Sequence, residues 1–251
     1  MASIAHGHGH GHDDMVVHVH HQFENIDQQN ESYLVGMWCF LVTEIMFFGA
    51  LFLMYTIYRM NYQNDFYGAH LELSQTASTP IAGPLVQMTG LKEFPVWGSI
   101  NTTLLLISSF TMVMAVRAAQ LRKKADVMKF LGATNVLAAM FLVIKFSQEW
   151  PPKWAHKMVP GANFGPEASH LHGASPRAAE IFYSLYFAMT GLHAIHIIAG
   201  IGVITALMVL WRKGAKSVTE DYVPTEMVGL YWHFVDLVWI FLFPLFYLIP
   251  G

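Results

Sequence analysis

Gly36-Met37-Trp38-Cys39-Phe40-Leu41-Val42-Thr43-Glu44-Ile45-Met46-Phe47-Phe48-Gly49 is an apolar run with one carboxylate, Glu44, near its middle. Apolar residues continue on both sides, so the segment covers about Tyr33–Tyr58, with tyrosines at both ends where an aromatic belt sits at a membrane surface. About 20 residues at 1.5 Å rise cross a ~30 Å hydrocarbon core. With no water to bond the backbone there, a spanning segment of this kind is a helix. A carboxylate at the centre of such a helix costs roughly 2.5–3.5 kcal/mol on insertion scales. The rest of the chain must supply what makes Glu44 tolerable.

Outward from this run, four more segments are long and apolar enough to span: about Val96–Ala119, Met128–Phe146, Ile181–Leu210 and Val228–Ile249. Of 251 residues, 54% are hydrophobic and only 12% charged, with a mean hydropathy of +0.39. Soluble domains carry about 25% charged residues. The expectation is an all-α polytopic membrane protein whose five-helix domain occupies residues 33–251. The formal net charge of −3 offers no basic face for nucleic acid. Cys39, the single cysteine, has no partner for an internal disulfide, and C-x-x-C metal spacing is absent. The N-terminus lacks a basic segment followed by a short apolar core and a cleavage site, so the spans themselves are expected to direct insertion.

Short-loop Lys and Arg set the orientation. Arg117, Arg122, Lys123, Lys124 and Lys129 surround one connection, and Arg212, Lys213 and Lys216 another. These loops and the N-terminus fall on one side, the cytoplasm, and the C-terminus and the long loops 59–95 and 147–180 fall outside. Lys145, near the outer end of the third span, is expected to snorkel. Pro244 cannot donate to the Ile240 carbonyl and is expected to kink the fifth span. Small residues mark helix contacts: Thr111, Ala115 and Ala119 in the second span, Gly132, Asn135 and Ala139 in the third, Ser184 with Ala188 and Gly202 with Ala206 in the fourth.

Residues 1–32 form a polar tail that reads as disordered, with His6, His8, His10 and His12 alternating with glycine. It is a flexible solubilising segment or a weak site for Zn, Cu or Ni. At membrane depth the polar groups beside Glu44 are Asn135, His193, His196, His233 and Asp236. His193 and His196 lie one turn apart, and His233 and Asp236 repeat that spacing, read as a structural pair within the fifth span. Either the histidines and carboxylates converge on a buried metal or haem, or they make interhelical hydrogen bonds and lipid-headgroup contacts. Glu44 is either a neutral, hydrogen-bonded carboxyl, because desolvation disfavours charge, or a proton-handling, carbodiimide-reactive site. No nucleophile with its base, no phosphate-cradling glycine loop and no acid–base carboxylate pair is visible.

Met37 to Phe48 resembles the glutamate-bearing helix of subunit III of haem–copper cytochrome c oxidases. Asn101-Thr102 followed by Leu104-Leu105-Leu106-Ile107-Ser108-Ser109 looks like that family's next helix. Gly191-Leu192-His193-Ala194-Ile195-His196-Ile197-Ile198-Ala199-Gly200 looks like its Gly-Leu-His helix, and Tyr231-Trp232-His233-Phe234-Val235-Asp236-Leu237-Val238-Trp239 like its C-terminal helix. The matches cover 33–251, leave the histidine tail outside, and fit the five-helix bacterial form, which lacks two N-terminal helices of the seven-helix form.

The resemblance implies an accessory subunit with no haem or copper of its own. Those cofactors sit in partner subunits of a complex that reduces O2 to water with electrons from cytochrome c and pumps protons. It implies direct packing on subunit I, association with subunit II and a small subunit IV, bound phospholipid, membership of a respiratory supercomplex, and residence in the bacterial cytoplasmic (inner) membrane. Glu44 falls on the family's buried, carbodiimide-reactive glutamate. His193, His196, His233 and Asp236 are then structural or lipid-contact residues, and no residue is catalytic. A quinol oxidase subunit III and a nitric-oxide-reductase accessory protein are the neighbouring alternatives. Those from other classes are an independent membrane metalloenzyme and a transporter, the latter disfavoured because five helices do not divide into equal repeats. Metal analysis of the chain without its histidine tail separates the classes: the accessory reading predicts no tightly bound stoichiometric metal, and the metalloenzyme reading predicts one.

Overall fold

The computed structural model describes residues 23, 25–76, 96–167, 171–219 and 221–248, and every regular element among them is helical. His6, His8, His10 and His12, the candidate metal ligands of the tail, lie outside the described residues. In chain order the elements are α1 (Ile26–Asn61), α2 (Gln63–Thr76), α3 (Val96–Gln120) and α4 (Lys124–Ile144). A π turn (Lys145–Glu149) joins α4 to α5 (Trp150–Ala155). Then come α6 (Pro176–Lys213), α7 (Lys216–Thr219), α8 (Val223–Phe243) and a terminal π turn, Pro244–Leu248. Among the described residues, five helices are long and apolar enough to cross a membrane.

α1 starts seven residues earlier than expected, inside the segment read as tail. Asn25, in extended conformation, accepts a hydrogen bond from the Gln28 N–H at 2.8 Å through its side chain, and Asp27 sits in the first turn. An Asn cap and an acidic first turn both stabilise a helix start. α2, expected as irregular loop, is a helix because Phe66, Ala69 and Leu73 recur on one face and are buried against the bundle.

The third span runs on past Phe146 to Ala155. Pro151 and Pro152 tolerate helix only in its first turn, where no N–H is needed. The chain restarts there as α5, and the register adjusts upstream through the π turn, in which the Trp150 N–H reaches the Lys145 carbonyl. At Pro244 the expected kink takes the form of a second π turn.

α3 and α4 form an antiparallel hairpin, α4 packs on α6, α6 on α8, and α8 back on α3, closing a four-helix ring. α1 lies outside this ring against α6 and α8. Burial follows: 50% of the apolar window of α8 is buried, against 11% for α1. The ring is filled by Trp232, Trp239, Phe141, Met112, Leu131 and Ile197, all fully or almost fully buried. The two indoles that fill the ring find acceptors: Trp232 Nε1 donates to Ser108 Oγ at 3.2 Å and Trp239 Nε1 to Thr102 Oγ1 at 3.0 Å.

Of the small-residue stripes, that of α3 lies in the interface. Ala115 and Ala119 are buried, and Thr111 pairs with Thr134 of α4 at 2.8 Å. Gly132 meets Met208 of α6 and Asn135 donates to Thr205 at 2.9 Å, whereas nothing lies within 4 Å of a Cβ at Gly202. The closest approaches are elsewhere. A Cβ on Gly98 would come within 2.7 Å of the Phe243 ring, one on Gly200 within 2.7 Å of Trp232, and one on Gly229 within 2.9 Å of Val116. Gly200→Leu is therefore predicted to destabilise by about 1–3 kcal/mol through overpacking, while Gly202→Leu stays near neutral. Thermal unfolding of the two variants in one detergent measures the difference.

Candidate functional site: polar side chains within the helix bundle

Glu44 lies halfway along α1 and faces α6. Its Oε2 is 3.1 Å from His196 Nε2, with both side chains about one-fifth exposed. The other imidazole nitrogen, Nδ1, lies 2.8 Å from the Leu192 carbonyl, one turn back on α6. A carbonyl only accepts, so Nδ1 carries a hydrogen and donates. Nε2 is then either the acceptor of a neutral imidazole or a donor of an imidazolium. The hydrogen bond to Glu44 thus needs one proton between the two groups: a neutral carboxyl donating to neutral imidazole, or imidazolium donating to carboxylate. Both states contain the same number of protons. Phe48 lies against the imidazole at 5.4 Å, and Tyr231 of α8 donates to the His196 carbonyl at 3.0 Å, fixing the ring's backbone from the third side.

His193 does not share this site. It turns into the ring, 1% exposed, stacked on Trp239 at 5.1 Å and edge-on to Phe141 at 5.7 Å, and neither ring nitrogen has a hydrogen-bond partner among the described residues. One turn of α6 separates two environments, one facing α1 and one facing α8. The reading of His233 and Asp236 as a pair also needs correction. His233 Nδ1 is 2.8 Å from Ser109 Oγ of α3. Asp236, 3% exposed, lies beside Ser109 without meeting hydrogen-bond geometry. Ser109 across the gap, rather than the carboxylate one turn along the same helix, is thus the partner of His233 Nδ1. Among the described residues, no three His, Cys, Asp or Glu side chains come together as a metal-binding group.

The largest polar centre was not read from the sequence. Lys145 does not snorkel; it is fully buried, with its Nζ 2.5 Å from Glu149 Oε2, itself fully buried. Asn101 of α3 donates to Glu149 Oε1 at 2.7 Å, and Tyr247 of the terminal π turn donates to Oε2 at 2.8 Å. Tyr186 of α6 closes the circle, 3.0 Å from Tyr247 and 3.4 Å from Lys145. Lys153, also fully buried, donates to the Glu149 carbonyl at 2.6 Å. The available signal was the i, i+4, i+8 spacing Lys145–Glu149–Lys153 through a Pro-Pro pair, in which each charge has its counter-charge one turn away.

The Glu44–His196 bond thus makes the contact between α1 and α6 polar at mid-span. A double-mutant cycle of Glu44→Leu and His196→Leu is predicted to return a coupling of about 0.6–1.7 kcal/mol, the range of interhelical hydrogen bonds in membranes. The cycle is read from unfolding free energies in detergent micelles. Glu44→Gln, which still donates to an imidazole acceptor, is predicted to retain most of it.

The sequence comparisons agree with this layout. The family model for cytochrome c oxidase subunit III matches residues 168–250, which contain α6 and α8 and hence His193, His196, His233 and Asp236. The cytochrome bo(3) ubiquinol oxidase subunit 3 of Pseudomonas aeruginosa is 26% identical over 92% of this chain and 91% of its own length. The cytochrome c oxidase subunit 3 of Alkalihalophilus pseudofirmus is 29% identical over 90% of each chain. A protein of Aeropyrum pernix named heme-copper oxidase subunit I+III is 26% identical over 85% of this chain but only 22% of its own length. With five helices long and apolar enough to span among the described residues, and relatives aligned almost end to end, the chain is similar to subunit III of haem–copper oxidases.

Proposed function

We propose that this chain is the accessory, non-redox subunit III of a proton-pumping terminal oxidase, stabilising subunit I and supporting its proton uptake. The observation that carries the reading is the Glu44–His196 pair, which holds one shared proton at mid-span on the side where α1 leaves the ring. A carboxyl that trades a proton with imidazole without net ionisation is tolerable in lipid, and it stands ready to pass that proton to a neighbouring polypeptide. The fused I+III relative supports subunit I as the direct partner, because fusion places the two polypeptides together in that protein. Subunit II and a small subunit IV complete the complex in this reading, with respiratory supercomplex membership and bound phospholipid as further associations. Haem and copper belong to the partner subunits, and this chain holds none and carries no catalytic residue. The setting is the bacterial cytoplasmic membrane, with the N-terminus and the Arg/Lys-bearing loops inside and the C-terminus outside. Cytochrome c is the preferred electron donor. The relatives include both cytochrome c and quinol oxidases, and a copper-bearing subunit II among co-purifying polypeptides decides for the former.

Glu44→Gln in the intact complex provides the test. The variant is predicted to assemble, to begin with near-normal turnover, and then to lose activity and proton pumping over successive turnovers faster than the parent. Unchanged pumping and unchanged inactivation would leave the pair as a helix contact and remove the proton-handling role.

A further inference from the structure

The Lys145–Glu149 centre lies in the α2 half of the bundle, away from Glu44, and the proposed accessory role leaves it unused. Four of its groups form a closed circuit of hydrogen bonds: Lys145 Nζ to Glu149 Oε2 at 2.5 Å, Tyr247 to the same oxygen at 2.8 Å, Tyr247 with Tyr186 at 3.0 Å, and Lys145 with Tyr186 at 3.4 Å. A proton moving from Nζ to Oε2 turns an ion pair into a neutral amine and acid and leaves every bond of the circuit a donor. The charged groups facing it are countable. Lys145 and Lys153 come from the π turn and α5, and Glu149 lies between them. Glu72 of α2 is electrostatically coupled to Lys153 and Tyr183, and His193 to Lys145. Asn101 is the polar group from α3 and Tyr247 that from the terminal π turn. Two lysines against two glutamates make a balanced set.

This set is open at one end. Glu72, itself buried, has its Oε2 3.0 Å from Nε2 of His172, whose side chain is 27% exposed at the α2 end of the molecule. His172 and Gly173 take left-handed backbone angles, φ 47° and 85°, in the turn that places the imidazole over α2. α2 is held to that turn by the Ser175 N–H donating to Asp65 at 2.5 Å. At the other end Asn101 Oδ1 and both ring nitrogens of His193 are buried without a hydrogen-bond partner among the described residues, and His193 stacks on Trp239, over which Lys145 Nζ also lies, 4.8 Å from the ring centre. Buried polar atoms without protein partners are where internal waters sit.

We propose that the Lys145–Glu149–Tyr186–Tyr247 circuit is a proton-exchange site, hydrated at Asn101 and His193 and served from the α2 surface through His172, Glu72 and Lys153. It takes and returns one proton from the α2 side, and it stops one helical turn short of the Glu44–His196 pair. It stands on the geometry of this chain alone and does not depend on what Glu44 does. The test is infrared difference spectroscopy on the chain with its co-purifying partners in nanodiscs, after a pH jump. The wild type is predicted to show a carboxyl signal that Glu149→Gln removes. The pair Glu72→Gln with His172→Gln, placed at the surface end, is predicted to keep the signal and slow its appearance by about 100-fold, the order of a lost proton-transfer group. A signal unchanged in Glu149→Gln overturns the proposal, because the cluster then keeps its charges and only clamps helices. If Glu149→Gln fails to assemble, the surface pair decides, and an unchanged rate there overturns the proposal equally.

Discussion

A charge inside this bundle has to bring its counter-charge and its hydrogen bonds with it, and the Lys145–Glu149 contact shows how far that requirement organises the fold. The two side chains are a turn apart on one segment, yet satisfying them takes Asn101 from α3, Tyr186 from α6 and Tyr247 from the end of α8. All four helices of the ring meet at that point. Removing one partner of such a buried pair costs about 3–5 kcal/mol, because the other charge is left uncompensated. The ring is therefore locked at its α2 end by electrostatics. Along most of its length it is held by the fit of glycines under aromatic rings, as at Gly200 beneath Trp232.

The five spans were legible because lipid leaves the sequence little choice: twenty apolar residues in a row must be helix, and each was found where hydropathy put it. What lay between them was less legible, for a physical reason. α2 has too few apolar residues to announce itself, and it is a helix because three of them, Phe66, Ala69 and Leu73, find a bundle to cover. The start of α1 depended on one Asn side chain rather than on periodicity. Among polar residues, Glu44 drew attention as a cost and His196 as half of a helix pair, but nothing in one sequence says that two helices put them 3.1 Å apart. Lys145 was misread because a lysine near a helix end usually reaches water; here the helix continues and the next turn supplies Glu149. His233 was misassigned to its own helix because spacing along one helix says nothing of Ser109 across the gap.

The two polar centres solve the problem of charge in lipid differently. The pair on α1 is small, edge-placed and neutral overall in either of its proton arrangements. The cluster at the α2 end is large, interior and balanced among several charges. His193 lies between them in sequence and in depth, bonded to neither. The α6 helix thus carries three polar side chains, Tyr186, His193 and His196, each pointing to a different neighbour: the terminal turn of α8, the Trp239 ring and α1.

The placement of α1 outside the ring has a mechanical meaning. Its α2 end is gripped by rings, with Tyr55 against Phe66, Phe182 and Phe246, and by the Tyr55 hydroxyl on the Leu245 carbonyl at 3.3 Å. Toward its other end the ring contact is lighter, with Phe40 leaning on Tyr231. The helix is a lever with its fulcrum near Tyr55. Glu44 is 11 residues from that fulcrum and the first residue of α1 is 29, so at constant rise a swing of the first turn moves Glu44 roughly two-fifths as far. A sideways push of a few ångströms at the first turn of α1 therefore arrives at Glu44 as about one ångström, enough to stretch a 3.1 Å hydrogen bond beyond its working length.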